Sequence, residues 1–576
     1  MNHKVSLNKK KVIVVGNGMV GHHFIEQLNK ANNSEFDIVT FSEETRLAYD
    51  RVMLTSYFTG NSANDLALTT PEEYDNKAVK YYINEEVTAI NRDVKTLTTS
   101  KGQTLSYDKL VLATGSFPFI PPVPGKDQDH IHVYRTLEDL DAIELSASTS
   151  KVGVVIGGGL LGLEAANAIK QLGLETHVVE FAPRLMAVQL DQDGGDLLSE
   201  KITALGVSVH TEKNTTEIVS GDNCRYRMNF SDGTYIETDV IVFSAGIRPQ
   251  DKLAMQCGLT LGERGGIVID DFCLTNDKSI YAIGECALWN KRIFGLVAPG
   301  YSMAKAAVSH ITNGDIKTLK PFKGADMSTK LKLLGVEVGS IGDAHGVSPD
   351  SQSYSFVDSV LGIYKKIVVS GDGKRLLGAV LVGDTSEYGQ WLPLVLNKIE
   401  LNKPPEHLLL PNIDDDDSLN VSELPADTQI CACYDVSKNT LCEAIEQGAN
   451  DVKSIQSCTE AGTGCGSCIP LLSELLALES EKISTNSVHN EITDESSLIF
   501  PSLPNISILP EHLILLGEIA KEFNLDINIT TTQHIEFVGA KENQLPIIRQ
   551  KMVNLGLMKE SNLQEKLPSK NPELFV

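Results

Sequence analysis

Four consecutive apolar residues, Val12-Ile13-Val14-Val15, run into Gly16-Asn17-Gly18-Met19-Val20-Gly21, and apolar positions then recur at helical spacing as far as Leu28. A second strand-like run, Asp37-Ile38-Val39-Thr40-Phe41, follows. An apolar run, a glycine turn, a 3.6-residue period and another run predict strand, turn, helix and strand, which is a βαβ unit. The same order returns at 152–156, at Gly157-Gly158-Gly159-Leu160-Leu161-Gly162, in a helical stretch through Leu172, and at 176–180. After about residue 320 the pattern changes to short strand-like runs at 331–338, 363–369 and 376–382, and the acidic run 414–417 reads as a solvated linker. A cysteine-bearing segment covers 428–482, a Ser/Asn/Glu-rich stretch follows, and a helix pattern at 511–523 precedes a strand pattern at 527–538.

The glycine turns carry the first chemistry. In a dinucleotide fingerprint the first glycine permits a tight turn, the second lets the backbone approach a pyrophosphate, and the third lets helix and strand pack closely. The helix N-terminus then faces the phosphates. Gly16, Gly18 and Gly21 meet these demands, with Glu43, and Glu44 beside it, as the acid for ribose hydroxyls. Gly157, Gly159 and Gly162 repeat them, and Glu180 follows Gly157 by 23 residues. A carboxylate at Glu180 repels a 2′-phosphate and favours NADH, while the nearby Arg184 keeps NADPH possible. Two such sites in tandem predict one flavin and one nicotinamide, since hydride transfer is the usual reason to hold both. Ala113-Thr114-Gly115, Ser244-Ala245-Gly246 and Ile283-Gly284-Glu285, each after a strand-like run, extend the pattern. The bland alternative is a glycine turn without a ligand.

The 576 residues are too many for one ordinary domain, and 42% hydrophobic with 22% charged residues is a globular composition. A net charge of −26 repels phosphate backbones and anionic headgroups, so neither nucleic acid nor membrane is expected as a partner. The basic start at Lys9-Lys10-Lys11 leads into an apolar run that Gly16 breaks too early for a secretory segment, and a cytoplasmic protein is expected. Ten cysteines are too sparse for a disulfide scaffold. Four lie in two tight pairs, Cys431-Ala432-Cys433 and Cys465-Gly466-Ser467-Cys468, separated by 31 residues. Four thiolates accept a [2Fe–2S] cluster or Zn²⁺. Glycines at 462, 464 and 466, which free backbone N–H groups for bridging sulfides, and a neighbouring flavin that needs a one-electron outlet favour the cluster; zinc and unligated thiols stay open.

The glycine segments, the ATG strand end and the GE turn resemble the two-dinucleotide-binding flavoprotein superfamily. That resemblance implies an α/β fold of tandem Rossmann-like FAD and NAD domains, with the NAD domain inserted between two FAD segments. Residues 1–223 contain no cysteine, which disfavours dithiol chemistry at the flavin. Val14 to His22, Ala48-Tyr49-Asp50-Arg51, 113–116, 157–165, 283–287 and 461–466 together resemble the large subunit of assimilatory NAD(P)H-dependent nitrite reductases over roughly 10–480. This implies FAD segments at 1–120 and 241–320, an NAD domain at 121–240, an α+β interface domain at 321–410, an acidic linker at 411–427 and a bacterioferritin-associated-ferredoxin-like [2Fe–2S] domain at 428–482. A linker at 483–506, a nitrite/sulfite reductase ferredoxin-like half-domain at 507–560 and a tail at 561–576 complete the expected order.

By the same resemblance Arg51, Thr114, Gly115, Gly246, Gly284 and Glu285 belong to the cofactor sites, Glu164 lies near the nicotinamide, and Cys431, Cys433, Cys465 and Cys468 hold the cluster. The 108 residues after Cys468 carry no cysteine, and the motif at 530–534 has Thr and His534 where the half-domain normally has glycine and arginine. Sirohaem and a [4Fe–4S] cluster are therefore not expected in this chain. The expected activity is NADH to FAD to [2Fe–2S] to a protein acceptor bearing a sirohaem or molybdenum centre. No side chain serves as acid or base in the hydride step. The competing readings are an electron-transfer subunit of assimilatory nitrate reductase and a non-catalytic redox sensor.

Overall fold

A computed structural model describes residues 9–32, 35–312, 319–410, 421, 424–464, 466–479, 497–499, 510–529, 535–540 and 544–554. The chain divides into two compact units, Met1–Leu476 and Ala477–Val576.

Both predicted βαβ units form. Strand Lys10–Val15 lies at the middle of a five-stranded sheet, flanked by Phe36–Phe41 and Lys80–Tyr82 on one side and by Lys109–Leu112 and Ile280–Ala282 on the other. All four pairings are parallel. Val12, Ile13 and Val14 are fully buried, as a strand covered on both faces requires. The second sheet runs Val207–His210, Glu175–Val179, Val152–Ile156, Val240–Phe243, Ile131–Val133, again parallel throughout. In each sheet the fingerprint strand stands where the strand order reverses, which is where open α/β sheets bind ligands. The first sheet takes its outer strand from residues 280–282, beyond the whole second sheet, so one dinucleotide domain interrupts the other.

The second domain does not end at residue 240. Val240–Phe243 pairs with 153–156, and the chain leaves this sheet only to form an antiparallel pair of Ile247–Pro249 with Ser116–Pro118. Further on, the single strand expected over 331–338 is a hairpin, Thr329–Leu333 with Val336–Gly342. It turns at Leu334 and Gly335, both at positive φ, the geometry of a two-residue type I′ turn. That hairpin joins a five-stranded antiparallel sheet, and helix Tyr388–Leu396 buries Tyr388, Trp391, Leu392 and Leu394. Gln429–Cys431 and Val436–Ser437 pair antiparallel ahead of helices Lys438–Glu446 and Val452–Thr459.

In the second unit, helix Pro510–Phe523 agrees with the expectation, whereas 527–538 resolves into two antiparallel strands, Asp526–Ile529 and Ile535–Ala540. The acidic run 414–417, the motif at 530–534, Cys465 and the tail 561–576 lie outside the described residues. Among the described residues no helix is long and apolar enough to cross a membrane.

Candidate functional site

The two glycine turns have the same local geometry. Gly16 and Gly157 take positive φ, 102° and 121°, and a Cβ on either would run into the carbonyl oxygen that ends the neighbouring strand, of Ala113 or of Ser244. A Cβ on Gly21 or Gly162 would run into the carbonyl oxygen of the first glycine. Gly18 and Gly159 differ from these, because a Cβ there meets nothing within 4 Å. The backbone thus leaves a cradle at the sheet's end and at the start of helices Met19–Asn32 and Leu160–Gln171, which fits a pyrophosphate. In the first turn the buried Asn17 Nδ2 and His23 Nε2 have no hydrogen-bond partner among the described residues. Burial, helped by the Lys305 ammonium, holds His23 neutral, down to about 3.

Charged groups from distant parts of the chain meet beside the first cradle. Arg51 pairs with Glu44, lies 4.7 Å over the Tyr49 ring, and donates to the Arg135 carbonyl at 2.9 Å. Arg135 in turn donates to Glu285 at 2.7 Å, and Ser116 Oγ donates to the same carboxylate oxygen at 2.5 Å. Glu43, the acid singled out from sequence, is exposed, while Glu44 is the one in this network. Glu285 and Gly284 form a short 3-10 turn after Ile280–Ala282. Thr114 Oγ1 donates to the Gln250 carbonyl at 2.6 Å, and Gln250 N–H to the Gly115 carbonyl, so the first domain's strand end is tied to the returning chain. Gly246, at φ 102°, has open space around it.

At the second cradle Glu180 follows strand Glu175–Val179, and its carboxylate accepts from Gly158 N–H at 2.5 Å and Ala182 N–H at 2.6 Å. Arg184 donates to the Leu190 carbonyl at 2.9 Å and so turns its guanidinium to backbone. Glu164, on the fingerprint helix, borders a small cavity with Met53, Thr55, Ser56, Asn167 and Lys332, and burial pushes its carboxyl up to about 7.

The cysteine segment is also preorganised. Cys431 is hydrogen-bonded to the Cys433 and Cys468 thiols and to the backbone of Gly462 and Tyr434, which together hold it well below the ordinary thiol range. A Cβ on Gly464 would lie 3.0 Å from Cys433 Cβ and 3.1 Å from its Sγ, so the residue preceding Cys465 touches the first pair. Thiols drawn together with backbone N–H groups aimed at them fit a thiolate-ligated cluster. Among the other described cysteines, Cys273 and Cys286 are buried, and their thiols donate to main-chain carbonyls.

Arg135 had no sequence signal beyond its charge, because its partner Glu285 lies 150 residues further along the chain.

Comparison with known proteins agrees with this geometry. The pyridine nucleotide-disulphide oxidoreductase model matches residues 10–310, the rubredoxin NAD+ reductase C-terminal domain 328–399, and the BFD-like [2Fe-2S] binding domain 429–477. The chain is similar to the nitrite reductase (NADH) large subunit of Escherichia coli strain K12, at 46% identity over 96% of this chain and 74% of that one. It is 43% identical to the nitrite reductase [NAD(P)H] large subunit of Klebsiella oxytoca, over 96% of this chain and 65% of that one. Among solved structures, a ferredoxin reductase from Rhodopseudomonas palustris superposes with a TM-score of 0.63 at 24% identity, covering 70% of this chain and 98% of its own, a likeness of fold.

Proposed function

The chain belongs to the family of NAD(P)H-dependent nitrite reductase large subunits, and from that premise we propose that it is the electron-input chain of nitrite reduction. FAD bound here would supply a hydride acceptor for NADH and a one-electron donor for a [2Fe–2S] cluster. The chain's own residues bind and orient. On this reading Gly16, Gly18 and Gly21 cradle the FAD pyrophosphate, and Arg51, Thr114, Gly115, Gly284 and Glu285, with Glu43 or Glu44 at the ribose, complete the site. Gly157, Gly159, Gly162 and Gly246 receive the nicotinamide cofactor, Glu180 its adenosine ribose and Glu164 its nicotinamide end. Cys431, Cys433, Cys465 and Cys468 hold the cluster.

The observation that carries the reading is the pairing of two open cradles, at Gly18 and Gly159, with a converging thiol group in one compact unit. The acceptor, a protein bearing sirohaem or a molybdenum centre, and a cytoplasmic location belong to the same proposal. Steady NADH-dependent reduction of ferricyanide or cytochrome c by the FAD- and iron-loaded chain tests it. Turnover is expected; a chain that binds FAD but turns over poorly is a sensor, and metal analysis with zinc and no iron overturns the cluster.

A further inference from the structure

The cysteine segment does not hang free of the flavoprotein. Tyr434, directly after Cys433, lies with its ring 6.0 Å from that of Tyr301. Tyr301 stacks on His23 at 4.2 Å with 25° between the planes. His23 belongs to the fingerprint helix of the first cradle, and Tyr301 to helix Val297–Thr312. That helix begins at the same cradle, because a Cβ on Gly300 would meet Val20 Cγ2 at 2.5 Å and the Gly284 backbone at 3.4 Å. One turn along it, Lys305 donates to the Tyr434 carbonyl at 3.3 Å, and its ammonium lies 5.6 Å over the Tyr434 ring. Glu460, at the end of helix Val452–Thr459, faces two cations of the dinucleotide domain, Lys30 at 3.6 Å and Lys305 at 4.0 Å. An aromatic stack and a small ion-pair cluster thus close the same interface.

We propose that Tyr301 is a positioning residue for electron transfer, holding Tyr434 and the Cys431–Cys433 hairpin against the fingerprint helix of the first cradle, with Glu460 as the electrostatic latch. This rests on the proposed flow of electrons from flavin to cluster. The balance is simple. Each NADH yields NAD⁺, one proton and two electrons; the cluster accepts one electron per passage, one Fe(III) becoming Fe(II), and a one-electron oxidant such as ferricyanide restores it after each. The tyrosines are neither oxidised nor deprotonated in this scheme. Their rings fill the gap and fix the register of the two domains.

The test uses the full chain loaded with FAD and cluster, with NADH mixed in stopped flow. Flavin bleaching and cluster reduction are followed separately, the latter also by its paramagnetic signal, and cluster content is checked with dithionite. Tyr301→Leu is expected to bleach like the parent but to reduce its cluster about tenfold more slowly, the factor equivalent to about 1.4 kcal/mol of lost docking. Tyr301→Phe, which keeps the ring, restores the rate. Glu460→Lys slows cluster reduction and raises hydrogen exchange in 297–312, and Glu460→Asp, which keeps the charge opposite Lys30 and Lys305, retains most of the protection. Parent-like cluster reduction in Tyr301→Leu, or parent-like exchange in Glu460→Lys, overturns the proposal. If the parent itself bleaches without reducing its cluster, the flavin-to-cluster reading fails, and exchange in 297–312 still decides whether the docking is real.

Discussion

Within one fingerprint, two glycines separated by two residues respond to alanine in opposite ways. At Gly162 a Cβ would overlap the Gly157 carbonyl oxygen, which is backbone, so helix Leu160–Gln171 has to back away from its strand. Overpacking of this kind costs about 1–3 kcal/mol. A shift of 2 kcal/mol lowers the melting temperature by roughly 4–8 °C for a domain of about 150–250 residues. At Gly159 the backbone is extended, φ −81° and ψ −173°, a conformation any residue adopts, and no atom lies within 4 Å of the added carbon. Alanine gains about 0.4–1 kcal/mol there by restricting the unfolded chain, and loses a similar amount as a poorer N-cap. The two nearly cancel. The added methyl instead fills the cradle, and NADH is expected to bind at least about tenfold more weakly, about 1.4 kcal/mol. Calorimetry of the FAD-loaded variants and the NADH concentration dependence of flavin bleaching read the two effects. Gly159→Ala with parent affinity for NADH, or with a melting temperature as low as that of Gly162→Ala, refutes the assignment of this cradle.

Glu180→Arg is expected to raise the kcat/KM ratio of NADPH to NADH by about tenfold or more, since it exchanges repulsion for attraction at the 2′ position; an unchanged ratio would count against Glu180. Glu164 has its folded carboxyl raised from 4.5 to about 7, so the native chain binds more protons than the unfolded chain between these values. Stability therefore falls as pH rises through that window, on the order of 2–3 kcal/mol between pH 5 and pH 8, and Glu164→Gln should flatten the dependence. Urea midpoints at pH 5 and pH 8 that change equally in both proteins would contradict this. Cys465→Ser is expected to abolish the iron–sulfur absorption while NADH still bleaches the flavin, and loss of bleaching as well would mean the two sites are not separable. Arg135→Leu removes the guanidinium hydrogen-bonded to Glu285 and is expected to weaken FAD retention by about 1–2 kcal/mol, measured by flavin release on dilution.

What could be read from the chain in advance was whatever depends on adjacent residues. The fingerprint glycines are legible because the turn, the close approach and the helix start all fall within six positions. The hairpin at Leu334-Gly335 was not, because leucine in a left-handed turn position gives no Asn-Gly signal and the two strands merge into one apolar run. Ile241–Phe243, the rest of the strand that begins at Val240, were assigned to the wrong side of a boundary for a similar reason. Four buried apolar residues do not disclose which sheet they complete, and only the pairing with 153–156 does. Arg135 and Ser116 escaped because their partner Glu285 lies 150 or more residues away.

The two cradles are alike in backbone, yet the acids beside them are held differently, and this difference bears on the order of events. Glu44 is fixed by the Arg51 guanidinium and the Tyr49 hydroxyl, and Arg51 is joined through Arg135 to Glu285. These groups come from residues far apart in sequence, so a cofactor seated there is held by charge-assisted bonds that a change in one segment does not release. Glu180 is held by two backbone N–H groups of its own domain, at Gly158 and Ala182, and among the described residues no cation pairs with it. A ribose can replace or share those bonds at small cost, and leave again. On the proposed reading the first cradle therefore keeps its FAD through many turnovers while the second admits and releases NADH in each one. The residues that distinguish a resident cofactor from an exchanging one lie outside the glycine motif the two sites share.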